Sequence, residues 1–196
     1  MNSSTPENDD RALVAQAQQG DAAAFETLVR RYYQRLYRIL AVQLGNEEDA
    51  RDVVQETFLR AFRHLGTFRG DCSFYSWLYR IAQNAAVDSV RRRRRRRRTR
   101  SLEDLRETAG IETSDGNPTA QPSHGLDTEE RQRMVREAIA QLPEEFRTVL
   151  VLRELDGLNY EQIAEAIGHP VGTVRSRLHR ARAQLKELLQ RMLSSS

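Results

Sequence analysis

Side chains that donate hydrogen bonds are concentrated near the carboxyl end of the chain, where no acidic residue occurs between Val171 and Glu187. Guanidinium, hydroxyl and imidazole groups bind phosphate oxygens and the edges of bases. The residues of this kind are Thr173, Arg175, Ser176, Arg177, His179, Arg180 and Arg182. The chemistry they indicate is recognition of nucleic acid rather than catalysis.

The apolar residues of the same stretch recur every three or four positions, which predicts one packing stripe on a helix. The preceding segment, NYEQIAEAIGHP, contains a short apolar period, and Pro170 ends it while favouring the start of a new helix. This pattern predicts a helix-turn-helix whose second helix, from Val171 to about Leu193, presents its basic side to DNA. The alternative is an ordinary basic amphipathic helix.

Helical periodicity also covers the first half of the chain, from Asp10 to about Arg98, and predicts four helices. Asp21 and Asn46 are expected to cap the second and third, and Ser73 to cap the fourth. The predicted packing stripe of the third helix consists of Ala50, Val53, Val54, Thr57, Phe58, Ala61, Phe62 and Leu65. The fourth helix leads into eight arginines, Arg91 to Arg98, whose mutual repulsion is expected to fray it.

Composition changes between Ser101 and Asp127, where glycine, proline and polar residues accompany six acids and one arginine. We therefore predict an all-α protein of two small helical domains joined by a flexible acidic linker. The predicted boundaries are a disordered amino terminus at 1–9, a first domain at 10–98, a linker at 99–127 and a helix-turn-helix domain at 128–193.

Several classes of protein are excluded by the sequence. The chain has 31 Lys and Arg residues against 28 Asp and Glu, so its net charge of +3 conceals locally basic and acidic segments. It contains one cysteine, Cys72, and four widely separated histidines, and we expect neither a disulfide nor a metal site. No segment resembles a membrane span, a signal sequence or a catalytic motif, so we expect a cytoplasmic protein without cofactors or enzymatic activity.

Two separate segments resemble one family. The stretch LRELDGLNYEQIAEAIGHPVGTVRSRLHRAR looks like region 4 of the extracytoplasmic-function (ECF) sigma factors. The stretches DARDVVQETFLRAF and FRGDCSFYSWLYRIAQNAAVD look like region 2 of the same family. The resemblance implies a sigma factor that binds core RNA polymerase and directs it to promoter DNA. Region 2 would bind the polymerase clamp helices and the minus 10 element, and region 4 the flap and the minus 35 element.

The resemblance also assigns residues. Asp52, Gln55 and Glu56 match the positions that contact the polymerase clamp. The loop before the fourth helix matches the segment that captures a base flipped from the melted strand, and two positions of the helix match minus 10 contacts. The loop residues are Phe68, Arg69, Gly70, Asp71, Cys72 and Ser73, and the two helix positions are Asn84 and Asp88. Asp88 departs from the amide that some members carry at this position. Trp77 and Tyr79 are aromatic and fit either base stacking or, more simply, the core.

In region 4 the resemblance assigns Arg175, Ser176, His179 and Arg180 to the minus 35 element. It further implies an anti-sigma partner and a linker that enters the nucleic-acid channel of the polymerase. The arginine run is longer than the family pattern requires, and we expect it to contact phosphates. A redox switch at Cys72 is not expected, because the sequence provides neither a basic pocket nor a second thiol. The alternative function is a stand-alone helix-turn-helix regulator, which would leave the region 2 motifs unexplained.

Overall fold

The computed structural model describes the backbone of residues 6–104 and 128–194, with side chains for 9–92 and 128–194. These residues form helices and connecting loops without a strand, as the predicted all-α class requires. The helices are α1 (Pro6–Gln18), α2 (Ala22–Leu44), α3 (Glu47–His64), α4 (Phe74–Asp104), α5 (Thr128–Gln141), α6 (Glu144–Glu154), α7 (Tyr160–Ile167) and α8 (Val171–Ser194), with a 3-10 turn at Leu65–Thr67.

The helices begin at the capping residues that the sequence predicts. The Asp21 carboxylate accepts hydrogen bonds from the amides of Ala23 and Ala24 at the start of α2. Asn46 accepts from the Asp49 amide at the start of α3, and the Ser73 hydroxyl accepts from the Ser76 amide at the start of α4. These bonds satisfy amides that the first turn of a helix leaves without a partner.

The amino-terminal unit, α1 to α4, is a helical bundle around a core that α2, α3 and α4 supply. Leu28, Leu36 and Leu40 of α2 and Val54 of α3 are completely buried there, and so is Tyr79 of α4. The burial of apolar side chains from three helices fixes the position of α3 relative to α4. This relation matters because both helices carry predicted contact residues on their outer faces.

Helix α1 begins earlier than predicted. Pro6 to Asp9 are helical, whereas the sequence predicts a disordered amino terminus at 1–9. Proline is favoured in the first turn of a helix, where its missing amide costs nothing. Asp9 pairs with Arg31 at 2.5 Å, and the buried Asp10 accepts hydrogen bonds from Arg31 and from the Tyr32 hydroxyl. These contacts hold α1 on α2.

Helix α4 is longer than predicted and ends at Asp104, so its backbone includes the arginine run and six residues assigned to the linker. Arginine has a high helix propensity, which favours continuation of the helix despite the repulsion among the charges. Arg91 and Arg92 are exposed, and the side chains of 93–98 lie outside the described residues. The rest of the predicted linker, 105–127, also lies outside them.

The carboxy-terminal unit, α5 to α8, contains the predicted helix-turn-helix. Asn159 and Gln162 form a reciprocal capping box at the start of α7, and Gly168 ends that helix in the left-handed conformation, at a φ of 68°. Pro170 accepts the first hydrogen bonds of α8 at its carbonyl. A turn of three residues therefore sets the angle between α7 and α8, and the buried Val174, Leu178 and Ala181 hold α8 on the unit.

The two units pack against each other, and the buried residues of both form one continuous apolar cluster. Helix α7 lies on α4, and α6 lies on α2. The sequence predicts two domains but gives no indication of this contact between them.

Candidate nucleic-acid interface

Helix α8 presents a row of donors away from its buried stripe. Arg175, Ser176, His179 and Arg180 are exposed, whereas Val174 and Leu178, their neighbours in sequence, are at most 2% exposed. The helix is therefore oriented with its basic side outward, as a helix that enters the major groove of DNA requires. The Arg175 guanidinium lies 5.8 Å from the centre of the Tyr160 ring, which connects this row to the start of α7.

Two arginines of the predicted row form ion pairs within the carboxy-terminal unit. Arg177 pairs with Glu145 at 2.9 Å, and the Arg177 side chain is only 21% exposed. This arrangement differs from the predicted side chain that is free to contact DNA. Arg182 is exposed but pairs with Glu154 at 2.7 Å. Periodicity places both on the polar side of α8, but it does not reveal that glutamates of α6 lie within reach.

The predicted base-capturing loop lies between the 3-10 turn and α4, and α1 fixes it from the other side. The Gln18 amide donates hydrogen bonds to the carbonyls of Leu65 and Phe68, both at 2.9 Å. The Phe68 ring packs on Trp77, at 5.1 Å between centroids, and is half-buried. Its role in the structure is to anchor the loop.

The tip of this loop is open. Arg69, Gly70 and Asp71 are exposed, and the positive φ of Gly70, 75°, allows the backbone to turn sharply there. Cys72 and Ser73 are half-buried at the base of the loop. The two ends of the loop are therefore held in place while the backbone at its tip is accessible. Capture of an unstacked nucleobase needs this arrangement.

Helix α4 carries the other predicted minus 10 residues. Asn84 is exposed about three turns along the helix, while Asp88 pairs with Arg60 of α3 at 2.9 Å. Tyr79 is completely buried and therefore belongs to the core. Trp77 is partly buried within an aromatic group that includes Phe68 and Phe74.

The outer face of α3 carries the predicted polymerase contacts. Asp52 and Gln55 are exposed and Glu56 is half-buried. The same face continues through Leu59 and Phe62, which are 53% and 59% exposed. The prediction that Phe62 belongs to the packing stripe is therefore wrong: its ring has an edge contact with Phe25 but stays mostly exposed, while Ala61 and Leu65 on either side of it are buried.

Arg60 joins two predicted sites that the sequence treats as separate. Its guanidinium pairs with Glu56 on its own helix at 2.7 Å and with Asp88 on α4 at 2.9 Å. The pair with Glu56 has the four-residue spacing that predicts an ion pair on a helix. The pair with Asp88 depends on how α3 and α4 pack and cannot be predicted from spacing. Arg60 thus connects the outer face of α3 with the helix that carries Asn84.

The Cys72 thiol is expected to react slowly with alkylating reagents. Burial raises its pKa, and the carboxylates of Glu165 and Asp71 add to this effect, while Arg80 opposes it. Since the thiolate is the nucleophile, a raised pKa reduces the reactive fraction at neutral pH. We expect alkylation by iodoacetamide at pH 7 to be slower than that of a free cysteine, and the rate to increase as the pH approaches the raised pKa. A rate at pH 7 equal to or above that of free cysteine would contradict this assignment.

The geometry defines an all-helical, two-unit DNA-binding protein with a basic recognition helix at one end and a polar helix face and loop at the other. Family models for sigma-70 region 2 and for sigma-70 region 4 match residues 28–96 and 132–185. The chain belongs to the sigma-70 family of RNA polymerase sigma factors. Its curated relatives place it among the ECF sigma factors.

Similar sequences extend over nearly the whole chain. The chain is 40% identical to the RNA polymerase sigma-H factor of Pseudomonas aeruginosa over 186 residues, which cover 94% of this chain and 95% of the relative. It is 40% identical to the ECF RNA polymerase sigma-E factor of Haemophilus influenzae over 189 residues, covering 94% and 97%. The match therefore includes both helical units rather than the helix-turn-helix alone.

Solved structures share the arrangement of the helices. CnrH in complex with the cytosolic domain of CnrY superimposes with a TM-score of 0.67 at 33% identity, covering 93% of this chain and 97% of that one. The sigma factor RpoE of Bartonella quintana, in complex with the anti-sigma factor NepR, gives a TM-score of 0.59 at 25% identity, covering 85% and 96%. Among the described residues, no helix combines the length and apolar character that crossing a membrane demands.

Proposed function

We propose that this sigma factor divides promoter recognition between its two units. The carboxy-terminal unit reads the minus 35 element with α8 and binds the polymerase flap. The amino-terminal unit holds the clamp helices of core polymerase against α3 and captures the minus 10 element with the loop 68–73 and α4. The observation that carries this proposal is that the exposed donors of α8 and the exposed polar face of α3 occupy separate units, so both can be engaged at once.

The minus 35 assignment is supported by exposure and chemistry. Arg175 and Arg180 carry guanidinium groups that are suited to guanine edges or phosphates, and Ser176 and His179 lie between them on the same helix. Thr173, in the first turn of α8, adds a hydroxyl near the entry to the groove. Arg177 and Arg182 are assigned weaker contacts, because DNA would have to compete with Glu145 and Glu154 for them.

The minus 10 assignment rests on the loop and on the exposed side of α4. The accessible backbone around Gly70 supplies hydrogen-bond groups for a base, and Asn84 supplies an amide. Asp88 is proposed to act next to the strand while it is held by Arg60, so its effect on specificity depends on that pair. The arginine run is proposed to contact phosphates at the end of α4, which would contribute affinity without sequence preference.

The function is tested by run-off transcription from a library of family-type promoters, with purified core polymerase and with or without the protein. The critical variant is Arg175→Ala combined with Arg180→Ala, which removes two exposed donors and leaves the packing stripe of α8 intact. We expect protein-dependent transcript starts, and we expect them to decrease at least about tenfold in the double variant, because each good contact is worth about 1–3 kcal/mol.

Two results would contradict the proposal. If the protein starts no transcripts but binds duplex DNA tightly without polymerase, it is a stand-alone regulator. If transcription is unchanged in the double variant, α8 does not read the promoter. In the matched control, Gln190→Ala near the end of α8 removes an exposed polar side chain outside the proposed interface, and transcription should remain at the wild-type level.

An anti-sigma factor is proposed as the regulator, since a structural neighbour of the chain is a sigma factor held by an anti-sigma factor. The proposed place of action is the cytoplasm, where core polymerase and promoter DNA are found. We assign no catalytic step, cofactor or metal to the protein, because its proposed contacts serve binding alone.

A further inference from the structure

One ion pair between α3 and α4 involves a residue of the minus 10 helix. The Nη1 atom of Arg60 donates to Oδ2 of Asp88 at 2.9 Å, and the two side chains are 25% and 41% exposed. Partly exposed ion pairs contribute little to stability, because water screens the charges. The burial of apolar side chains already holds α3 on α4. The pair is therefore better explained by what Asp88 contacts than by stability.

The geometry of the pair leaves part of the Asp88 carboxylate available. Arg60 holds Oδ2, and no donor among the described residues forms a hydrogen bond with Oδ1. The Nε atom of Arg60 also donates to Glu56 at 2.7 Å, so the guanidinium is held from both helices. A guanidinium that is held in place fixes the orientation of the carboxylate it binds. Asp88 thus presents an oriented hydrogen-bond acceptor on the surface of α4.

The chemistry of a carboxylate limits the bases that Asp88 can contact. An ionised carboxylate accepts hydrogen bonds and donates none. In the major groove, the amino groups of cytosine and adenine are donors, whereas thymine O4 and guanine O6 and N7 are acceptors. Adenine also carries the acceptor N7 beside its amino group, and this atom repels a carboxylate. Cytosine has no acceptor beside its amino group and is therefore the base that suits Asp88 best.

The position of Asp88 on α4 indicates where such a base would lie. Asp88 follows the exposed Asn84 by four residues, so the two lie on the same face of the helix. They are separated by about 6 Å along the helix axis. Successive bases of a strand are about 3.4 Å apart. A base at Asp88 would therefore lie about two steps from the base at Asn84, on the side away from the loop 68–73.

A carboxylate beside DNA also repels the phosphates, and Arg60 offsets this charge. The guanidinium is positive and lies within hydrogen-bond distance of the carboxylate. Without Arg60, Asp88 would bring an unpaired negative charge close to the strand. The pair thus allows an acidic residue to face promoter DNA at a low electrostatic cost.

We infer that Asp88, oriented by Arg60, makes the sigma factor prefer cytosine at one position of the minus 10 element. The inference rests on the proposed role of α4 in minus 10 recognition. Asp88 is the residue that contacts the base. Arg60 is a positioning residue, because it orients the carboxylate and offsets its charge without contacting the base.

Base preference is measured by run-off transcription from promoters in which each minus 10 position carries all four bases in turn. Core polymerase is used with the full-length protein at saturating concentration. Wild type should favour cytosine at one position at least about fivefold over the other bases. Asp88→Asn introduces an amide of nearly the same size, which donates as well as accepts. At that position the variant should lose the preference for cytosine and favour adenine, while the other positions keep their preferences.

Arg60→Met tests the positioning role, because it removes the charge and keeps a long side chain. Transcription should decrease at least about fivefold, and the cytosine preference should weaken, since Asp88 is then neither oriented nor neutralised. Adding Asp88→Asn to Arg60→Met should restore most of the transcription, because no unpaired charge remains. Damage to packing alone would not be relieved by a second substitution. The matched control is Arg30→Met, which removes an exposed ion pair on α2 and should change neither yield nor preference.

The possible results separate this inference from the function on which it rests. Unchanged base preferences in Asp88→Asn would overturn the inference, and so would a wild type that favours cytosine at no minus 10 position. A normal cytosine preference and yield in Arg60→Met would overturn the positioning role of Arg60. If wild type starts no transcripts at any promoter, the proposed function itself is refuted.

Discussion

Replacement of both Asp52 and Gln55 by arginine is expected to weaken the binding of core RNA polymerase by about 100-fold, because like charges brought together at an interface cost several kcal/mol. Both side chains are exposed on the outer face of α3, and the proposed partner surface has to complement an acid and an amide there. The core of the unit lies on the opposite side of the helix, so the variant should fold. The measurement is displacement of a fluorescently labelled wild-type protein from core polymerase.

The control for this prediction reverses a charge elsewhere on the same unit. Glu26 is exposed on α2, is not one of the predicted contact residues, and pairs with Arg30 at 2.6 Å. Glu26→Arg should therefore displace the labelled protein as well as wild type does. If the Asp52 and Gln55 variant also competes at the wild-type level, the clamp contact lies on a different face of the protein.

Periodicity predicts the direction in which a side chain points but not what lies beside it, and Phe62 shows the difference. It follows Phe58 by four residues, so the sequence places both on one stripe. Phe58 is buried, but Phe62 lies at the edge of the stripe and is mostly exposed, while Ala61 and Leu65 remain buried. Its exposure beside Leu59 gives the proposed polymerase face an apolar end, which the sequence alone assigns to the core.

Local signals were sufficient for the helices and the helix-turn-helix. Asp21, Asn46, Ser73 and Pro170 act within a few residues of themselves, so their effect can be predicted without knowledge of the fold. The early start of α1 has a non-local cause, since Asp9 and Asp10 find their partners on α2. Helix α4 continues beyond the predicted boundary because the helix propensity of arginine outweighs the repulsion among the charges.

No pattern in the sequence predicts the contact between the two units. Arg35 and Asp156 are 121 residues apart, and each belongs to a segment whose local pattern is explained without the other. The same holds for Ser76 and Glu165, which are 89 residues apart. Such pairs depend on how two finished units pack, and single-sequence periodicity contains no information about that packing.

Helix α4 carries both Ser76, which bonds to Glu165 of the other unit, and Asp88, which pairs with Arg60 of α3. Core polymerase is proposed to contact the outer face of α3, and Arg60 connects that face to Asp88 on α4, the helix that α7 contacts. The proposed polymerase face and the contact between the two units therefore meet at the same helix.

Truncation of Leu178 to alanine is expected to destabilise the carboxy-terminal unit by about 2–5 kcal/mol, the range for a buried leucine that leaves a cavity. Leu178 is 2% exposed on the packing stripe of α8, and that stripe fixes the recognition helix on α6 and α7. A loss of this size approaches the whole stability of a small domain, so binding of a minus 35 duplex should be lost with the fold. Chemical denaturation followed by circular dichroism measures the change, and duplex binding is measured on the same samples.

Replacement of His179, the residue after Leu178, tests DNA recognition separately from stability. His179 is exposed on the opposite side of α8, so His179→Ala should change the free energy of unfolding by no more than about 0.5 kcal/mol, as exposed substitutions usually do. It should nevertheless weaken binding of the minus 35 duplex. If Leu178→Ala leaves stability unchanged while His179→Ala reduces it, the buried and exposed sides of α8 are assigned the wrong way round, and the proposed recognition surface fails with them.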